Sequence, residues 1–481
     1  MFARNVVQAT FVVLLFIAGA SGSSAQGFKT LSSFNGVNGR YPFVPPVQGT
    51  DGNLYGTTVY GGAYDRGSIY KITLAGQLST VYSFCSLPGC PDGEDLYGGL
   101  LLAADGNFYG VTMFGGTNNE GTVFKITSGG QLTTLYNFCS MPGCTDGWAP
   151  ETALIQATDG NLYGTTGQGG AYGGGTVFKI TTAGRRTTLY DFCTQSGCAD
   201  GSFPNQLVQG KDRSFYGTTY YGGTGGYGTI FKLTPKGQLT TLHSFCSDTL
   251  CTDGSHPSTA LVQSSDGAFY GTTDFGGSLQ SGGTAFSITS TGQFATVYDF
   301  CVTTGCPDGY WPLTPLVQAS NGMFYGTTSR GGGGSMNGGT IFSLNSAGQL
   351  TTLYSFCPQS GCADGQTPVQ GMLQATSGAF YGTASAGGSA NDGTAFSFSA
   401  GLRPFIVTNP AAGKVGSSVM ILGNNLSGTT SVTFNGVAAI FTVASATEIT
   451  TTVPSGATTG KVKVTTSTRT LTTNVAFRVL P

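Results

Sequence analysis

Charged side chains are scarce in this sequence. Asp, Glu, Lys and Arg make up 9% of the 481 residues, whereas globular domains usually contain about a quarter. This composition excludes a protein built from long helices, whose exposed faces are rich in charge. The formal net charge is −2, which excludes the strong positive field expected of a protein that binds nucleic acid or an anionic membrane surface.

Motifs of several enzyme classes are also missing. The sequence has no H-E-x-x-H motif, no P-loop and no G-x-S-x-G nucleophile elbow with a plausible triad. Only two histidines occur. Catalysis therefore has weak support from the sequence, and we expect no cofactor.

Long apolar runs are absent except at the amino terminus. Residues 11–20 form one short apolar run, and Ser23 and Ala25 fit the small-residue positions of a cleavage site. We expect residues 1–25 to be a secretory signal peptide, with the mature chain starting near Gln26. An uncleaved membrane anchor is the alternative, but the run is short for a bilayer span.

Glycine, by contrast, is abundant and belongs to an internal repeat. It accounts for 79 residues, and hydrophobic residues make up 39%, which is enough apolar surface for a folded core. The phrase DGNLYGTT at residues 51–58 returns in seven copies spaced 53 to 56 residues apart, a period typical of propellers and solenoids. The tyrosines of the copies are Tyr55, Tyr109, Tyr163, Tyr216, Tyr270, Tyr325 and Tyr381.

Each period contains four short runs of β-branched and aromatic residues, separated by turn residues. In the third copy these runs cover residues 152–157, 161–166, 175–181 and 187–192. A small sheet of four antiparallel strands has exposed edges and faces, and radial packing of seven such sheets protects both. The sequence therefore predicts an all-β protein with a seven-bladed β-propeller over residues 26–400.

The phase of the repeat predicts how the ring closes. Residues 28–34 match the fourth strand of a copy, and residues 393–399 match the third strand. We therefore expect the amino-terminal strand to complete the last blade by backbone hydrogen bonds. An open solenoid is the alternative, although a solenoid would more commonly show atypical capping repeats than a split unit.

Cysteine is as periodic as the repeat. Six C-x4-C pairs each follow a predicted fourth strand, and an even count in an exported chain predicts six local disulfides. Zinc binding is the alternative, but the pairs lack nearby histidines and lie far apart on different blades. The pairs are Cys85 with Cys90, Cys139 with Cys144, Cys193 with Cys198, Cys246 with Cys251, Cys301 with Cys306 and Cys357 with Cys362.

The loops of the predicted propeller divide into two faces. The first-to-second and third-to-fourth turns are tight and share one face, here called the turn face. The glycine-rich second-to-third loops and the connections between blades share the other, here called the loop face. Because binding residues are common on loops held by a rigid scaffold, the loop face is the candidate binding surface.

The variable positions of the loop face follow a recurring Asp-Gly in each connection. They include both tryptophans and one of the two histidines, beside acids and amides, as expected for a site that binds sugar or peptide. The alternative is that these side chains only pack between blades or cover loop backbone. The predicted ligand-binding residues, here called the rim residues, are Arg40, Tyr41, Glu94, Asp95, Trp148, Phe203, His256, Tyr310 and Trp311 in the connections, and Tyr60, Phe114, Tyr221, Phe275 and Arg330 in the loops.

Most acidic residues belong to the repeat and are predicted to be structural. An Asp in the tight turn of a copy, such as Asp51, bonds local backbone amides. Another Asp, such as Asp92, follows the second cysteine of each pair. These D-G turns lack the alternating acidic ligands of a calcium loop, so we expect no metal site.

The repeat stops after Ala400, and residues 401–481 form a separate segment of short alternating strands that fits an all-β sandwich. Its motifs P-x-x-G, G-x-x-V-x-I-x-G-x-N-L, V-x-F-N-G and I-x-x-x-V-P closely resemble those of the IPT/TIG immunoglobulin-like domain. That resemblance implies an accessory module for spacing or adhesion rather than for chemistry.

Residues 28–399 resemble the GloVer tandem repeat of exported bacterial proteins, through the phrases Y-G-T-T-x-x-G-G and G-T-V-F-K-I-T. This choice-of-anchor family implies a bacterial protein that is secreted, periplasmic or held at the cell surface. The sequence shows neither a sortase motif nor a terminal hydrophobic helix with a basic tail, so the mode of retention stays open. The resemblance brings no catalytic residues.

We expect an exported, non-enzymatic binding or adhesion protein whose rim binds an extracellular polymer, with polysaccharide as the expected class, or another cell-surface component. A polysaccharide lyase or hydrolase using Glu94, Asp95, His256 and Tyr310 is a second hypothesis. A structural envelope protein without a small ligand is a third. We expect a monomer with no transmembrane segment after signal cleavage.

Overall fold

The computed structural model describes residues 27–278, 282–333 and 337–481. These residues form an all-β structure with two short 3-10 helices, Pro142–Cys144 and Ser196–Cys198. The predicted signal peptide, residues 1–25, lies outside the described residues. In the part of the chain that the structure describes, no helix is long and apolar enough to cross a bilayer.

The repeat segment forms seven antiparallel sheets within the described residues, numbered I to VII in chain order. Strand β1 (Gly27–Ser33) comes first and belongs to sheet VII. Sheet I contains β2 (Val47–Gln48), β3 (Leu54–Thr58), β4 (Ser68–Ile72) and β5 (Leu78–Ser83). Sheet II contains β6 (Leu101–Leu102), β7 (Phe108–Thr112), β8 (Thr122–Ile126) and β9 (Leu132–Asn137). Sheet III contains β10 (Ile155–Gln156), β11 (Leu162–Thr166), β12 (Thr176–Ile180) and β13 (Arg186–Asp191).

The remaining sheets follow the same order. Sheet IV contains β14 (Ser202–Pro204), β15 (Val208–Gln209), β16 (Phe215–Tyr221), β17 (Thr229–Leu233) and β18 (Leu239–Ser244). Sheet V contains β19 (Val262–Gln263), β20 (Phe269–Thr273), β21 (Thr284–Ile288) and β22 (Phe294–Asp299). Sheet VI contains β23 (Val317–Gln318), β24 (Phe324–Thr328), β25 (Thr340–Leu344) and β26 (Leu350–Ser355). Sheet VII contains β27 (Met372–Gln374), β28 (Phe380–Ala384) and β29 (Thr394–Ser399), together with β1.

The repeated phrase explains the local fold of each sheet. The Asp of the tight turn accepts a hydrogen bond from the repeat tyrosine, as between Tyr109 Oη and Asp105 at 2.8 Å. In sheet II, Lys125 also pairs with Asp105 at 3.2 Å. The glycine after the tyrosine leaves room for a ring of the third strand, because a Cβ on Gly110 would lie 2.5 Å from Phe124. The turn acid therefore has the structural role that the sequence predicts.

Apolar side chains fill the space between consecutive sheets. Seven hydrophobic clusters among the described residues each join two neighbouring sheets, and one of them joins sheet VII to sheet I. The rings of Tyr216 and Phe269, for example, pack with centroids 4.0 Å apart. Burial of such side chains is a main source of stability, so each sheet depends on both of its neighbours.

Strand β1 pairs antiparallel with β29, from Gly27 opposite Ser399 to Ser33 opposite Thr394. This pairing is the one that the phase of the repeat predicts. Phe28 on β1 also stacks on Tyr354 of sheet VI, with ring centroids 4.0 Å apart. The amino-terminal strand therefore contacts sheet VI as well as sheet VII.

Glutamine side chains connect neighbouring sheets on the turn face. The glutamine at the end of an innermost strand accepts a hydrogen bond from a backbone N–H of the preceding sheet, as Gln318 does from Ser265 at 3.1 Å. Among the described residues, six such bonds join all neighbouring pairs except sheets I and II, where Leu102 replaces the glutamine. The acceptors are Gln48, Gln156, Gln209, Gln263, Gln318 and Gln374.

All six predicted cysteine pairs form disulfides, so the prediction of local C-x4-C bridges is confirmed and the zinc alternative is wrong for these cysteines. Each bridge closes the connection that follows the outermost strand of sheets I to VI. The bonds join Cys85 to Cys90, Cys139 to Cys144, Cys193 to Cys198, Cys246 to Cys251, Cys301 to Cys306 and Cys357 to Cys362.

The aspartate after each cysteine pair holds the disulfide loop by accepting hydrogen bonds. Asp146 accepts from Tyr136 Oη at 2.7 Å and from the Ser140 N–H at 2.9 Å. In sheet IV, His243 replaces the tyrosine and its Nε2 lies 2.8 Å from Asp253. These aspartates therefore stabilise the conformation of the disulfide loops.

The carboxyl-terminal residues form three further small sheets around a core of their own. Their strands begin with β30 (Val407–Asn409), β31 (Ala412–Lys414), β32 (Ser418–Leu422), β33 (Thr429–Phe434) and β34 (Val437–Ala438). They continue with β35 (Phe441–Val443), β36 (Glu448–Thr452), β37 (Val462–Thr466), β38 (Thr470–Thr472) and β39 (Arg478–Leu480). The strand orders are β30-β32-β36-β35, β34-β33-β37-β38 and the parallel pair β31-β39.

This carboxyl-terminal domain lies against the turn face. Met420 and Leu422 pack in the cluster that contains Leu100 and Leu102 of sheet II. The side-chain amide of Asn409 donates a hydrogen bond to the Leu102 carbonyl at 2.9 Å. Contacts to sheets I, IV and VII join Thr447 to Thr50 at 2.7 Å, Arg478 to Lys211 at 2.8 Å and Asn474 to Gln374 at 3.1 Å.

Candidate functional site

The first residue after each connecting Asp-Gly pairs with the second-to-third loop of the same sheet. The pairing is an antiparallel backbone bridge, so the two side chains lie next to each other. The bridges are Arg40–Tyr60, Glu94–Phe114, Trp148–Gln168, Ser255–Phe275, Tyr310–Arg330 and Gln366–Ala386, and Ser202 pairs with Tyr221 within sheet IV. The two groups of rim residues therefore lie side by side on the loop face.

The second residue of each connection has a left-handed backbone. Its φ lies between 52° and 58° at Tyr41, Asp95, Ala149, Phe203, His256, Trp311 and Thr367. Such a conformation costs a non-glycine residue about 1–3 kcal/mol and persists only where the surroundings enforce it. Here the N–H group bonds a loop carbonyl of the preceding sheet, as His256 does to Tyr227 at 2.8 Å. Main-chain bonds between sheets therefore hold each rim position.

Eight aromatic side chains form a connected group over sheets IV to VI, here called the aromatic arc, in which four rings pack around His256. The arc runs through Phe203, Tyr220, Tyr221, Tyr227, His256, Phe275, Trp311 and Tyr310, with neighbouring ring centroids 4.7 to 6.3 Å apart. Tyr221 and Tyr227 are 48% and 42% exposed. The structure thus brings six rim residues into one partly exposed aromatic surface, together with Tyr220 and Tyr227, which were not predicted.

A second aromatic group lies on sheets I and II. Tyr41 packs on Phe43 at 5.7 Å, and Phe43 packs on Tyr97 at 5.5 Å between ring centroids. The hydroxyl groups of Tyr60 and Tyr97 are 3.1 Å apart. The guanidinium of Arg40 lies 5.4 Å from the centre of the Tyr60 ring, within the range of a cation–π contact. This group connects the rim to Tyr97, which lines the interior.

Trp148 and Trp311 are both half-buried on the loop face, so neither is enclosed between sheets. Trp148 covers Gly169, where a Cβ would lie 2.7 Å from Cδ1 of the indole. It lies outside the aromatic arc. Arg330 lies close enough to Tyr41 for its charge to oppose the rise in the Tyr41 pKa that burial causes.

The adjacent carboxylates Glu94 and Asp95 have different surroundings. Glu94 forms an ion pair with Arg66 at 3.2 Å. Burial, followed by the negative charge of Glu94, raises the pKa of Asp95 to about 6. The Asp95 Oδ1 is buried with no hydrogen-bond partner among the described residues. Glu94 also lies near Cys85 and Cys90, but these cysteines form a disulfide and offer no thiolate to a metal ion.

A buried carboxyl group adjoins the aromatic arc. Asp274 is 4% exposed and accepts a hydrogen bond from Ser258 Oγ, and Tyr220 lies nearby. Burial raises the pKa of Asp274 to about 7. His256 lies beside Tyr220, its Nδ1 is buried without a partner in the described residues, and burial lowers its pKa. An acid that keeps its proton near neutral pH and a neutral imidazole are groups that can act in general acid–base chemistry.

Residues of all seven sheets line one central cavity of about 220 Å³. Its walls come from the innermost strands and the segments that precede them, and they combine polar and apolar surface in nearly equal parts. Among the described residues, Glu151 is the one charged side chain in this lining. Burial raises the pKa of Glu151 to about 7, and no hydrogen bond or charge from the described residues opposes that effect.

Tyr97 and Glu151 are not among the rim residues predicted from the sequence. Both occupy the position two residues after the left-handed residue of their connections. The sequence signal for this position is that its residue type differs from copy to copy, as the residue types of the rim positions do. Its occupants are Phe43, Tyr97, Glu151, Asn205, Ser258, Leu313 and Val369.

Several solved structures are similar to this chain at low identity. An extracellular domain described as part of a hybrid two-component system of B. thetaiotaomicron is 12% identical with a TM-score of 0.50; the match covers 95% of this chain and 60% of that one. PorZ, a surface component of the type-IX secretion system of Porphyromonas gingivalis, is 13% identical with a TM-score of 0.47, over 94% of this chain and 61% of that one. A gluconolactonase of Xanthomonas campestris is 12% identical with a TM-score of 0.39, over 78% and 89%. At these identities the likeness concerns the fold alone.

Family models match most of the sequence, whereas no curated protein matches it. The Gloeobacter/Verrucomicrobia repeat matches residues 20–198, 86–246 and 194–396. The IPT/TIG domain matches residues 406–479. These matches fall on the seven sheets and on the carboxyl-terminal domain, respectively. The chain therefore belongs to the Gloeobacter/Verrucomicrobia repeat family and carries a carboxyl-terminal IPT/TIG domain.

Proposed function

We propose that this chain is an exported, non-enzymatic binding or adhesion protein whose loop face binds an extracellular polymer, with polysaccharide as the expected class. In this proposal sheets I to VII are the blades of a closed seven-bladed β-propeller. The cluster that joins sheet VII to sheet I and the cavity lined by all seven sheets support that arrangement. The six disulfides support a location outside the reducing cytoplasm.

The aromatic arc is the observation that carries the proposal. Tyrosine, tryptophan and histidine offer a flat apolar surface together with a polar group, which suits the C–H faces and hydroxyl groups of sugar rings. The arc extends from sheet IV to sheet VI through ring contacts at His256, Phe275 and Trp311, so it offers an extended surface rather than a single pocket. An extended chain of sugar units matches this shape better than one small molecule does.

Retention of the purified mature protein on polysaccharides, peptidoglycan and cell-wall preparations tests the proposal. We expect the double variant Tyr221→Ala/Trp311→Ala to lose at least about tenfold in affinity, because it removes two anchors of the arc. Tyr172→Ala is the matched control, since Tyr172 is 61% exposed on the second-to-third loop of sheet III, outside the arc. No retention of the wild-type protein on any preparation, or equal retention of the double variant, would contradict the proposal.

A polysaccharide lyase or hydrolase is a second candidate function, and the buried Asp274 favours it. A carboxyl group with a pKa of about 7 beside a hydroxyl group has the properties of a general acid. Turnover of polysaccharides, measured with and without calcium, tests this candidate. Product formation that Asp274→Asn abolishes would support it, and no turnover of any polysaccharide would exclude it. Self-association that the double variant retains, without ligand binding, would instead favour a structural envelope protein.

A further inference from the structure

The IPT/TIG domain lies across one end of the central cavity. Thr50, Leu102, Lys211 and Gln374 lie at the ends of the innermost strands of sheets I, II, IV and VII, and each is hydrogen-bonded to this domain. Because these strands surround the cavity, the domain covers its turn-face end. The cavity is therefore approached from the loop face, next to the rim.

The lining combines one carboxyl group with uncharged polar groups and apolar walls. No hydrogen bond or charge from the described residues acts on Glu151, and the side-chain amides of Gln206 and Gln370 belong to the same lining. Tyr97 and Ser258 add hydroxyl groups to the same lining. An unpaired carboxylate in such surroundings is costly, so burial favours the protonated form of Glu151, and a bound cation would stabilise its carboxylate form.

An organic ammonium group fits this lining better than a metal ion. Calcium takes about six to eight oxygen ligands, commonly with several carboxylates, whereas this lining offers one carboxyl group. An ammonium group carries three N–H donors that one carboxylate and neighbouring amide oxygens can accept. The cation that suits the cavity is therefore an amine.

The other groups of the cavity lining indicate the kind of ligand molecule to which the amine belongs. The amide and hydroxyl groups of the lining can bond a ligand with several hydroxyl groups, and Val44, Leu100 and Met372 suit its C–H faces. The volume of about 220 Å³ is below the roughly 300–1,000 Å³ of pockets for drug-sized ligands. A single monosaccharide-sized unit is therefore the expected occupant.

We propose that the central cavity binds one amino-sugar unit, with Glu151 pairing with its ammonium group and Gln206 and Gln370 bonding its hydroxyl groups. This inference rests on the proposed function and deepens it, because it names a chemical class for a unit of the polymer. The aromatic arc holds neighbouring units of the same chain. The cavity then selects polymers that carry free amines over their N-acetylated or neutral counterparts.

Calorimetric titration of the full mature chain with glucosamine, N-acetylglucosamine and glucose near neutral pH tests the cavity directly. We expect glucosamine to bind at least about tenfold more tightly than the other two sugars. Glu151→Gln, which keeps the shape of the side chain, removes that preference. Glu120→Gln is the matched control, because Glu120 is an acidic residue of a second-to-third loop that does not line the cavity.

The sugar comparison on the wild-type protein needs no variant, so it stays decisive even if Glu151→Gln folds poorly. Equal binding of the three sugars, no binding of glucosamine, or Ca²⁺ binding that Glu151→Gln abolishes would overturn the cavity proposal. Retention on polymers that depends on Tyr221 and Trp311 but not on Glu151 would leave the proposed function standing and remove this inference. Glucosamine binding without polymer retention would do the reverse: the amine site would stand and the polymer-binding function would fall.

Discussion

In sheet I a tyrosine occupies a core position that holds phenylalanine in the other six sheets. The Tyr70 side chain is fully buried, and its hydroxyl group has no hydrogen-bond partner among the described residues. A buried hydroxyl without a partner costs about 1–3 kcal/mol. The corresponding residues are Phe124, Phe178, Phe231, Phe286, Phe342 and Phe396. A single residue therefore lowers the stability of sheet I relative to the other six sheets.

Replacing Tyr70 by phenylalanine should stabilise the protein. We expect Tyr70→Phe to raise the free energy of unfolding by about 1 kcal/mol, because it removes the unsatisfied hydroxyl and keeps the ring. Denaturant titration followed by fluorescence measures the change. The reverse substitution in sheet II, Phe124→Tyr, should lower stability by a similar amount, and a neutral result for both variants would contradict the argument.

The buried Asp274 gives stability a dependence on pH. Its pKa is about 7 in the folded protein against an ordinary value of 3.8. Between about pH 4 and pH 7 the unfolded chain releases this proton while the folded protein keeps it, so the free energy of unfolding falls as pH rises and the loss is complete above pH 7. We expect Asp274→Asn to remove this contribution and to flatten the curve in that window. Denaturant titrations across the window test this, and an unchanged slope would contradict it.

Between sheets I and II, the IPT/TIG domain replaces the link that glutamine provides elsewhere. Leu102 occupies the glutamine position, and Asn409 donates to its backbone carbonyl instead. Met420 and Leu422 add apolar contacts at the same place. The domain therefore stabilises the one junction, among those that the structure describes, that lacks a glutamine bond.

A junction that lacks the support of the IPT/TIG domain should be destabilised when its glutamine is replaced by leucine. Gln318→Leu between sheets V and VI removes the acceptor of the Ser265 N–H and the bond from Gln318 Nε2 to Ser264 at 2.8 Å. We expect a loss of about 1–3 kcal/mol in the free energy of unfolding and faster hydrogen exchange at the Ser265 amide. Gln131→Leu is the control, because Gln131 is exposed; an equal effect of both variants would contradict the role of the link.

The sequence predicts those elements whose signal is periodic along the chain. The repeated phrase indicates the strands, and the C-x4-C spacing indicates the disulfides. The glutamine links join residues more than 50 positions apart, as Gln318 and Ser265 are, and a glutamine that accepts such a bond looks no different in sequence from one in water. The left-handed backbone at Phe203 and Trp311 runs against the preference of bulky residues, so it arises only once neighbouring sheets are in place.

For the molecule as a whole, the two ends of the repeat segment meet in sheet VII. Phe28 of β1 lies opposite Phe398 of β29, so this pairing forms between residues at opposite ends of the repeat. Contacts of such long sequence separation form slowly because they close a very long loop. When sheet VII opens, the hydrophobic clusters that it shares with sheets VI and I become exposed.

The junction of the two ends should be the easiest place to open. Phe28→Ala removes the stack on Tyr354 and should cost about 2 kcal/mol, with faster hydrogen exchange and proteolysis confined to β1 and β29. Phe294→Ala is the control, because Phe294 occupies the equivalent repeat position in sheet V, where the strands follow each other along the chain. The same local opening in the control would contradict a special role for the junction.

The left-handed residues of the loop face are fixed through their peptide N–H groups rather than through their side chains. Ala149 in sheet III and Trp311 in sheet VI share the same backbone geometry although their side chains differ greatly in size. Six of these side chains are at least partly exposed, whereas Ala149 is fully buried, so the six can be exchanged one at a time while the loops keep their shape. Randomised libraries at these sites would yield variants with new binding specificities on an unchanged scaffold.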